Sequence, residues 1–208
     1  MTSIRHTPGP DDSLLDAARH CLLAVGWKRT TLTDVAHRAG VSRMTIYRRW
    51  PDMASLLSDL MTREWSGVVD ESVLDLSAAP VDRLSTGVTR TVAALRDNDL
   101  FRKIVQVDPE LLLPYLLDRR GRSQDSVLTI LETTIVEGQE AGCVRPGDPI
   151  LMARSVLLTA HGFALSAGTM SAGTMTAGTM TGETKAPKAT VARLDAELRS
   201  LIARYLTP

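Results

Sequence analysis

Apolar residues recur at three- and four-residue intervals along nearly the whole 208-residue chain, and no stretch keeps the strict alternation of a half-buried strand. Leu14, Leu15, Ala18, Cys21, Leu22 and Val25 form one such stripe over about 11–25, after the possible caps Asp12 and Ser13 and before Gly26. A second, capped by Asp52, carries Leu56, Leu57, Leu60, Met61, Trp65 and Val68 to about residue 70. Pro80 opens a third with Leu84, Val88, Val92 and Leu95. Asp108-Pro109 breaks the segment 97–117, where five leucines crowd around Pro114 and Tyr115. Long helices are predicted at about 123–141, with Val127, Leu131, Ile135 and Val136 inward, at about 150–166, and at about 190–206, with Val191, Leu194, Leu198, Leu201, Ile202 and Tyr205. The pattern predicts an all-α protein.

Residues 31–50 hold two short helix signals with a glycine between them. Thr31 can cap the first, with Asp34 closing a capping box at the positive end of the helix dipole. Val35, Ala36 and Ala39 give it an apolar stripe, and Gly40 can end it in the left-handed conformation. Ser42 can cap the second helix, whose Ile46 and Trp50 lie four apart, and Pro51 disfavours helical backbone at Trp50. Val35, Ala36, Val41, Ile46 and Trp50 read as core, which leaves Arg43, Met44, Thr45, Tyr47, Arg48 and Arg49 for the other faces. A turn this short makes the two helices cross steeply, so a polar face of the second can enter a DNA groove.

At these residues the chain resembles the TetR family of transcriptional regulators. The run G-V-S-R-M-T-I-Y-R-R-W at 40–50 is similar to the family's turn and recognition helix, and the flanking helices at about 11–25 and 52–70 fit it. The connector G-x-V-R-P-G-D-P at 142–149 also looks like one that joins the family's two long C-terminal helices. The resemblance implies a three-helix helix-turn-helix DNA-binding domain joined to a larger helical ligand-binding and dimerisation domain. The boundaries are 1–10 for an N-terminal arm, 11–70 for the DNA-binding domain and 71–208 for the second domain. It also implies that Thr45, Tyr47 and Arg49 meet bases or backbone, with Arg43, Met44 and Arg48 beside them, and that Thr31 and Thr33 hold a phosphate at the start of the preceding helix. Lys28 and Arg29 are weaker candidates, and His37 reads as a surface residue.

Charge sharpens the picture. The chain has 24 basic and 24 acidic residues, yet between Trp27 and Trp50 six lysines and arginines face Asp34 alone. Such local concentration fits a phosphate-facing surface. The scattered His6, His20, His37 and His161, and the absence of phosphate-loop, nucleophile-elbow or zinc-protease motifs, argue against an enzyme. Cys21 lies on an apolar stripe and Cys143 has no ligand partners near it in sequence, so neither a metal nor a cofactor is expected. No signal-peptide core and no run of eighteen apolar residues occur, which points to the cytoplasm and away from a membrane.

The expected function is a DNA-binding regulator, in this family most often a homodimeric, ligand-responsive repressor on a palindromic operator. The helices at about 123–141 and 150–166 are expected to pair with their copies, with Ala153, Ala160 and Ala164 small enough for close approach, although the same faces suit internal core. Arg102, Gln106, Asp108, Tyr115 and His161 are the polar candidates to line a small-molecule effector pocket, and each also suits a surface or capping role. The alternative is a DNA-binding protein whose C-terminal domain only dimerises or meets a protein partner. The tandem repeat A-G-T-M-S, A-G-T-M-T, A-G-T-M-T at 167–181 is expected to be a loop, part of a linker at about 167–187, and not a copper site.

Overall fold

A computed structural model describes residues 10–72, 77–171 and 188–208, and among these there is no strand. The helices are α1 (Pro10–Val25), α2 (Leu32–Arg38), α3 (Arg43–Arg49), α4 (Met53–Ser72), α5 (Pro80–Asp97), α6 (Asp99–Val107), α7 (Leu113–Leu117), α8 (Arg122–Glu140), α9 (Pro149–Ser171) and α10 (Lys188–Leu206). Short 3-10 turns at Trp27–Arg29 and Pro109–Leu111 complete the order. The all-α expectation holds. Helix α1 begins a little earlier than the caps suggested, with Asp11 and Asp12 in its first turn, where carboxylates favour the helix dipole.

The chain divides into two compact units, one from Met1–Ser66 with Asn98–Gly121 and one from Gly67–Asp97 with Arg122–Pro208. This differs from the single boundary drawn near residue 70, because α6 and the turns after it group with α1–α3 and with α4 as far as Ser66. The reason is apolar surface. Leu100, Phe101 and Ile104 of α6 are buried, α6 packs against α1, and the Phe101 ring meets Trp65 edge-on at 6.3 Å.

In the second unit α5, α8, α9 and α10 share one core that includes Leu84, Val92, Leu131, Ile135, Val156, Leu198 and Ile202. Ala153, Ala160 and Ala164 belong to this internal core, which resolves the choice left open for them. On α8 and α10 most of the expected inward residues are buried, Leu131, Ile135, Leu198 and Ile202 among them, and single positions differ. Leu128 is buried although it was not placed inward, and Val136, expected inward beside Ile135, is 40% exposed. On α10 the buried stripe is Leu198, Ile202 and Leu206, with Leu201 and Tyr205 outside it. Arg96 joins α5 to α10 through both carboxylate oxygens of Asp195, at 2.5 and 2.6 Å.

The 142–149 connector is held as a clamp. Arg145 donates from its backbone N to Leu206 O at 2.8 Å and from Nε to Tyr205 O at 2.7 Å, and its guanidinium lies over the Tyr205 ring. Gln139 Nε2 donates to the carbonyls of Arg145 and Gly147, both at 3.0 Å, and Asp148 caps α9 through Ile150 N. The first A-G-T-M-S copy is helical and not loop, because α9 continues to Ser171. Ala167 and Ser171 are buried one turn apart, and Ser171 Oγ donates back to Ala167 O at 2.6 Å. The two remaining copies lie outside the described residues. Helix α9 reaches a mean hydropathy of 1.4 over eighteen residues, enough by length and composition to cross a membrane; it packs on α5, α8 and α10 and leaves other apolar residues, Leu151 and Leu158 among them, exposed.

Gly138, buried in α8, has no room for a methyl group: a Cβ there would collide with Val144 Cγ2 and lie 3.1 Å from Pro80 Cβ. Gly138→Ala is expected to lower the melting temperature, since overpacking costs about 1–3 kcal/mol against the roughly 1 kcal/mol that alanine gains over glycine in a helix. Gly87→Ala in α5, where a Cβ meets nothing within 4 Å, is expected to raise it. Paired thermal melts check the opposite signs.

Candidate nucleic-acid interface

The helix-turn-helix is built from local chemistry. Thr31 N donates to Asp34 Oδ2 at 2.9 Å while Thr31 Oγ1 accepts from Asp34 N at 3.2 Å, so the capping box forms. The Thr31 hydroxyl, which donates to Asp34 Oδ2 at 2.6 Å, and then the Thr31 amide hold the Asp34 carboxyl below the usual carboxylate range. Gly40, at φ 69°, ends α2, and Val41 N closes the turn onto Ala36 O at 3.0 Å. Ser42 then caps α3 by accepting from Thr45 N at 3.1 Å. Trp50 leaves the helix in extended backbone, φ −129° and ψ 117°, ahead of Pro51. Asp52 caps α4 through Ser55 N at 2.7 Å, and the Ser55 hydroxyl and amide keep its carboxyl low as well.

Helix α3 is pinned on one side only. Ile46 and Trp50 are buried, Trp50 Nε1 donates to Asp59 Oδ2 at 2.9 Å, and Val35 and Ala36 of α2 are buried too, with Val41 half-buried. Elsewhere on the helix Arg43, Met44, Tyr47 and Arg48 are exposed, with Met44 77% exposed and Tyr47 49% exposed. Met44 and Tyr47 are large apolar-bodied side chains left in solvent on a helix whose other face is sealed. That is the form of a docking face.

Other site residues sit less freely. Thr45 is half-buried and its hydroxyl meets Ser42 Oγ at 2.9 Å. Thr31 gives its hydroxyl proton and its amide to Asp34, whereas Thr33 is half-buried in the first turn of α2. Arg49 is exposed, but its Nε donates to Asp11 Oδ2 at 2.8 Å, and its guanidinium lies over Trp50 and 4.0 Å from Asp59. Lys28 pairs with Glu110 at 2.8 Å, a hydrogen bond that raises its ammonium pKa, and Arg29 Nε donates to Val25 O at 3.0 Å. His37 is exposed. None of these long-range partners is visible in residue spacing.

The effector candidates divide between the units. Arg102 is exposed and paired with Asp99 on its own helix, and Gln106 is exposed. Asp108 is buried and accepts from Trp27 N, while Tyr115 is half-buried with the Arg119 guanidinium 5.4 Å from its ring centre. These four lie in the first unit. His161 lies in the second, half-buried, 3.4 Å from Gln124 Nε2, and burial lowers its pKa. Residue spacing gave no sign of Trp65, whose Nε1 is buried with no hydrogen-bond partner among the described residues.

Residues 14–60 match the family model described as bacterial regulatory proteins, tetR family. An uncharacterized HTH-type transcriptional regulator of Mycobacterium tuberculosis H37Rv is 35% identical over 154 residues, covering 74% of this chain and 79% of that protein. Among solved structures, a TetR transcription regulator from Haloarcula marismortui superposes with a TM-score of 0.66 at 16% identity, covering 96% of this chain and 98% of that one. The regulator FadR from Bacillus subtilis, in complex with stearoyl-CoA, gives 0.65 at 16% identity, covering 93% and 97%. With the exposed recognition face, its caps and these relatives, the chain belongs to the TetR family of DNA-binding bacterial transcriptional regulators.

Proposed function

We propose that the protein is a cytoplasmic, homodimeric, ligand-responsive repressor that reads a palindromic operator through α3. The observation that carries this reading is the one-sided helix: Ile46 and Trp50 fix it, and Arg43, Met44, Tyr47 and Arg48 are left to meet DNA. Arg43 reads guanine through its two acceptors, the Thr45 methyl packs on thymine, and Tyr47 and Arg48 hold phosphates. Thr33 and the first amides of α2 sit where a further phosphate is expected.

A single such helix reads few base pairs, and a two-fold dimer reads two half-sites. Support for the dimer comes from α9. Leu151, Ser155, Leu158, Gly162 and Ser166 share one exposed face at helical spacing, with Leu151 57% and Leu158 70% exposed. This face, with the outer side of α8, is the proposed contact between copies. An effector acts by favouring a state whose paired recognition helices no longer fit successive grooves. The unpaired Trp65 Nε1 beside Phe101 is a donor that an acceptor on a largely apolar ligand would satisfy. The acyl-CoA held by the similarly folded FadR makes a long-chain acyl compound the first to test.

Binding to duplexes selected from a random pool should fall with salt at a log–log slope of about −5 to −9 per dimer, for roughly three to five phosphate contacts per half-site. Leu151→Glu with Leu158→Glu is expected to give monomers in sedimentation and to weaken binding sharply. A salt-independent association would refute the DNA reading, and dimers that survive both glutamates would refute the α9 interface.

Arg43→Ala and Tyr47→Phe should separate base reading from phosphate holding. The first is expected to cost about 1–3 kcal/mol and relax preference at one base pair. The second is expected to weaken all sequences alike. Site selection with each variant checks this.

Arg49 gives a third test. Its pair with Asp11 is half-exposed on both sides, so it is worth about 0–1 kcal/mol. Asp11→Asn is therefore expected to leave the melt nearly unchanged, free a guanidinium for phosphate and steepen the salt slope by about 1 per half-site. A lowered melting temperature with an unchanged slope would make Arg49 an internal fastener.

A further inference from the structure

The residues assigned above to DNA all lie before residue 60, yet one buried group far beyond them touches the turn that leads into the DNA-binding helices. Asp108 ends α6 with φ −134° and ψ 51° and is 3% exposed. Its Oδ2 accepts the backbone N–H of Trp27 at 2.8 Å, across 81 positions of sequence. Trp27 opens the 3-10 turn that joins α1 to α2, and the first amide of such a turn has no partner within it. Asp108 supplies one from another element. The same oxygen would lie 3.0 Å from a Cβ on Gly26, whose φ of 83° starts the turn, so the carboxylate packs against glycine backbone.

The contact does not stand alone. Lys28 meets Glu110 at 2.8 Å, which ties the next residue of the turn to the 3-10 turn after α6. Thr30 Oγ1 donates back to Gly26 O at 2.8 Å, and Thr31 then caps α2. A buried carboxyl group is costly unless donors meet it, so the turn and the end of α6 hold one another in place. Helix α2 packs on α3, and a shift at Gly26–Thr31 therefore reaches the recognition helix.

We propose that Asp108 is a positioning residue for DNA binding: by holding the Trp27 amide it fixes the α1–α2 turn and, through α2, the pose of α3. The proposal rests on α3 being the DNA-reading helix. It moves Asp108 from the effector candidates to the coupling between α6 and the helix-turn-helix.

The test uses the full chain, a duplex selected by the wild type from a random pool, and amide hydrogen exchange of the free protein. Asp108→Ala is expected to lower affinity for that duplex about tenfold, with lost protection confined to residues 26–33 and α8–α10 unchanged. Asp108→Asn keeps an acceptor in place and is expected to restore both. Gly26→Ala attacks the same contact from the other side and is expected to reproduce the alanine pattern, which keeps the test decisive if Asp108→Ala does not fold. Folded Asp108→Ala or Gly26→Ala with wild-type affinity would overturn the proposal, as would Asp108→Asn no better than Asp108→Ala. Failure of the wild type itself to bind any duplex would instead remove the DNA-reading role of α3, and both conclusions with it.

Discussion

A recognition helix of seven residues has too few hydrogen bonds to hold its own shape or aim, so the burial of Trp50 governs what the rest of the first unit can do. Trp50 sits where the helix has ended and Pro51 forbids it to continue. Its ring is enclosed, its single donor is met by Asp59 on α4, and the Arg49 guanidinium covers it from outside. Ile46 one turn earlier completes the inner face. Because those two side chains take all the burial that α3 offers, every other side chain on it faces outward or toward its caps. An exposed Met44 would be a liability on an ordinary surface helix, and here it belongs to a face kept bare.

The caps, stops and stripes of this region were legible because they are local. Thr31 with Asp34, Gly40, Ser42 with Thr45 and Asp52 with Ser55 each involve residues within three or four positions, the range over which sequence alone constrains geometry. Helix positions were legible to within a few residues for the same reason. Which neighbour in a stripe turns fully inward was not: Ile135 against Val136, and Leu206 against Tyr205, differ by a fraction of a turn that only the partner helices decide.

Charged side chains were the least legible part of the site. Arg49 and Asp11 stand 38 positions apart, and Asp108 reaches back 81 to Trp27. Spacing cannot reveal such pairs, and an arginine in a recognition helix looks the same in sequence whether it is free or held. The grouping of residues 98–121 with the N-terminal helices is a related case. Asp108-Pro109 announced a break, but only the burial of Phe101 and Ile104 shows which way the segment turns. Segments adjacent in sequence need not share a core.

The Arg145 clamp grips α10 by two carbonyls of its last turn, with its guanidinium also over the Tyr205 ring, and that arrangement sets what can vary around it. The two backbone bonds do not depend on which side chains Tyr205 and Leu206 carry, while the Tyr205 ring and the buried Leu206 side chain add contacts that do. Helix α10 is thus registered at its downstream end by Arg145 and Leu206, and along its length by Asp195 on Arg96 and by Leu198 and Ile202 in the core. The A-G-T-M repeats enter the chain before that helix. Contacts made by α10 itself, and not the number of A-G-T-M copies before it, set its register, so a change in copy number need not shift it.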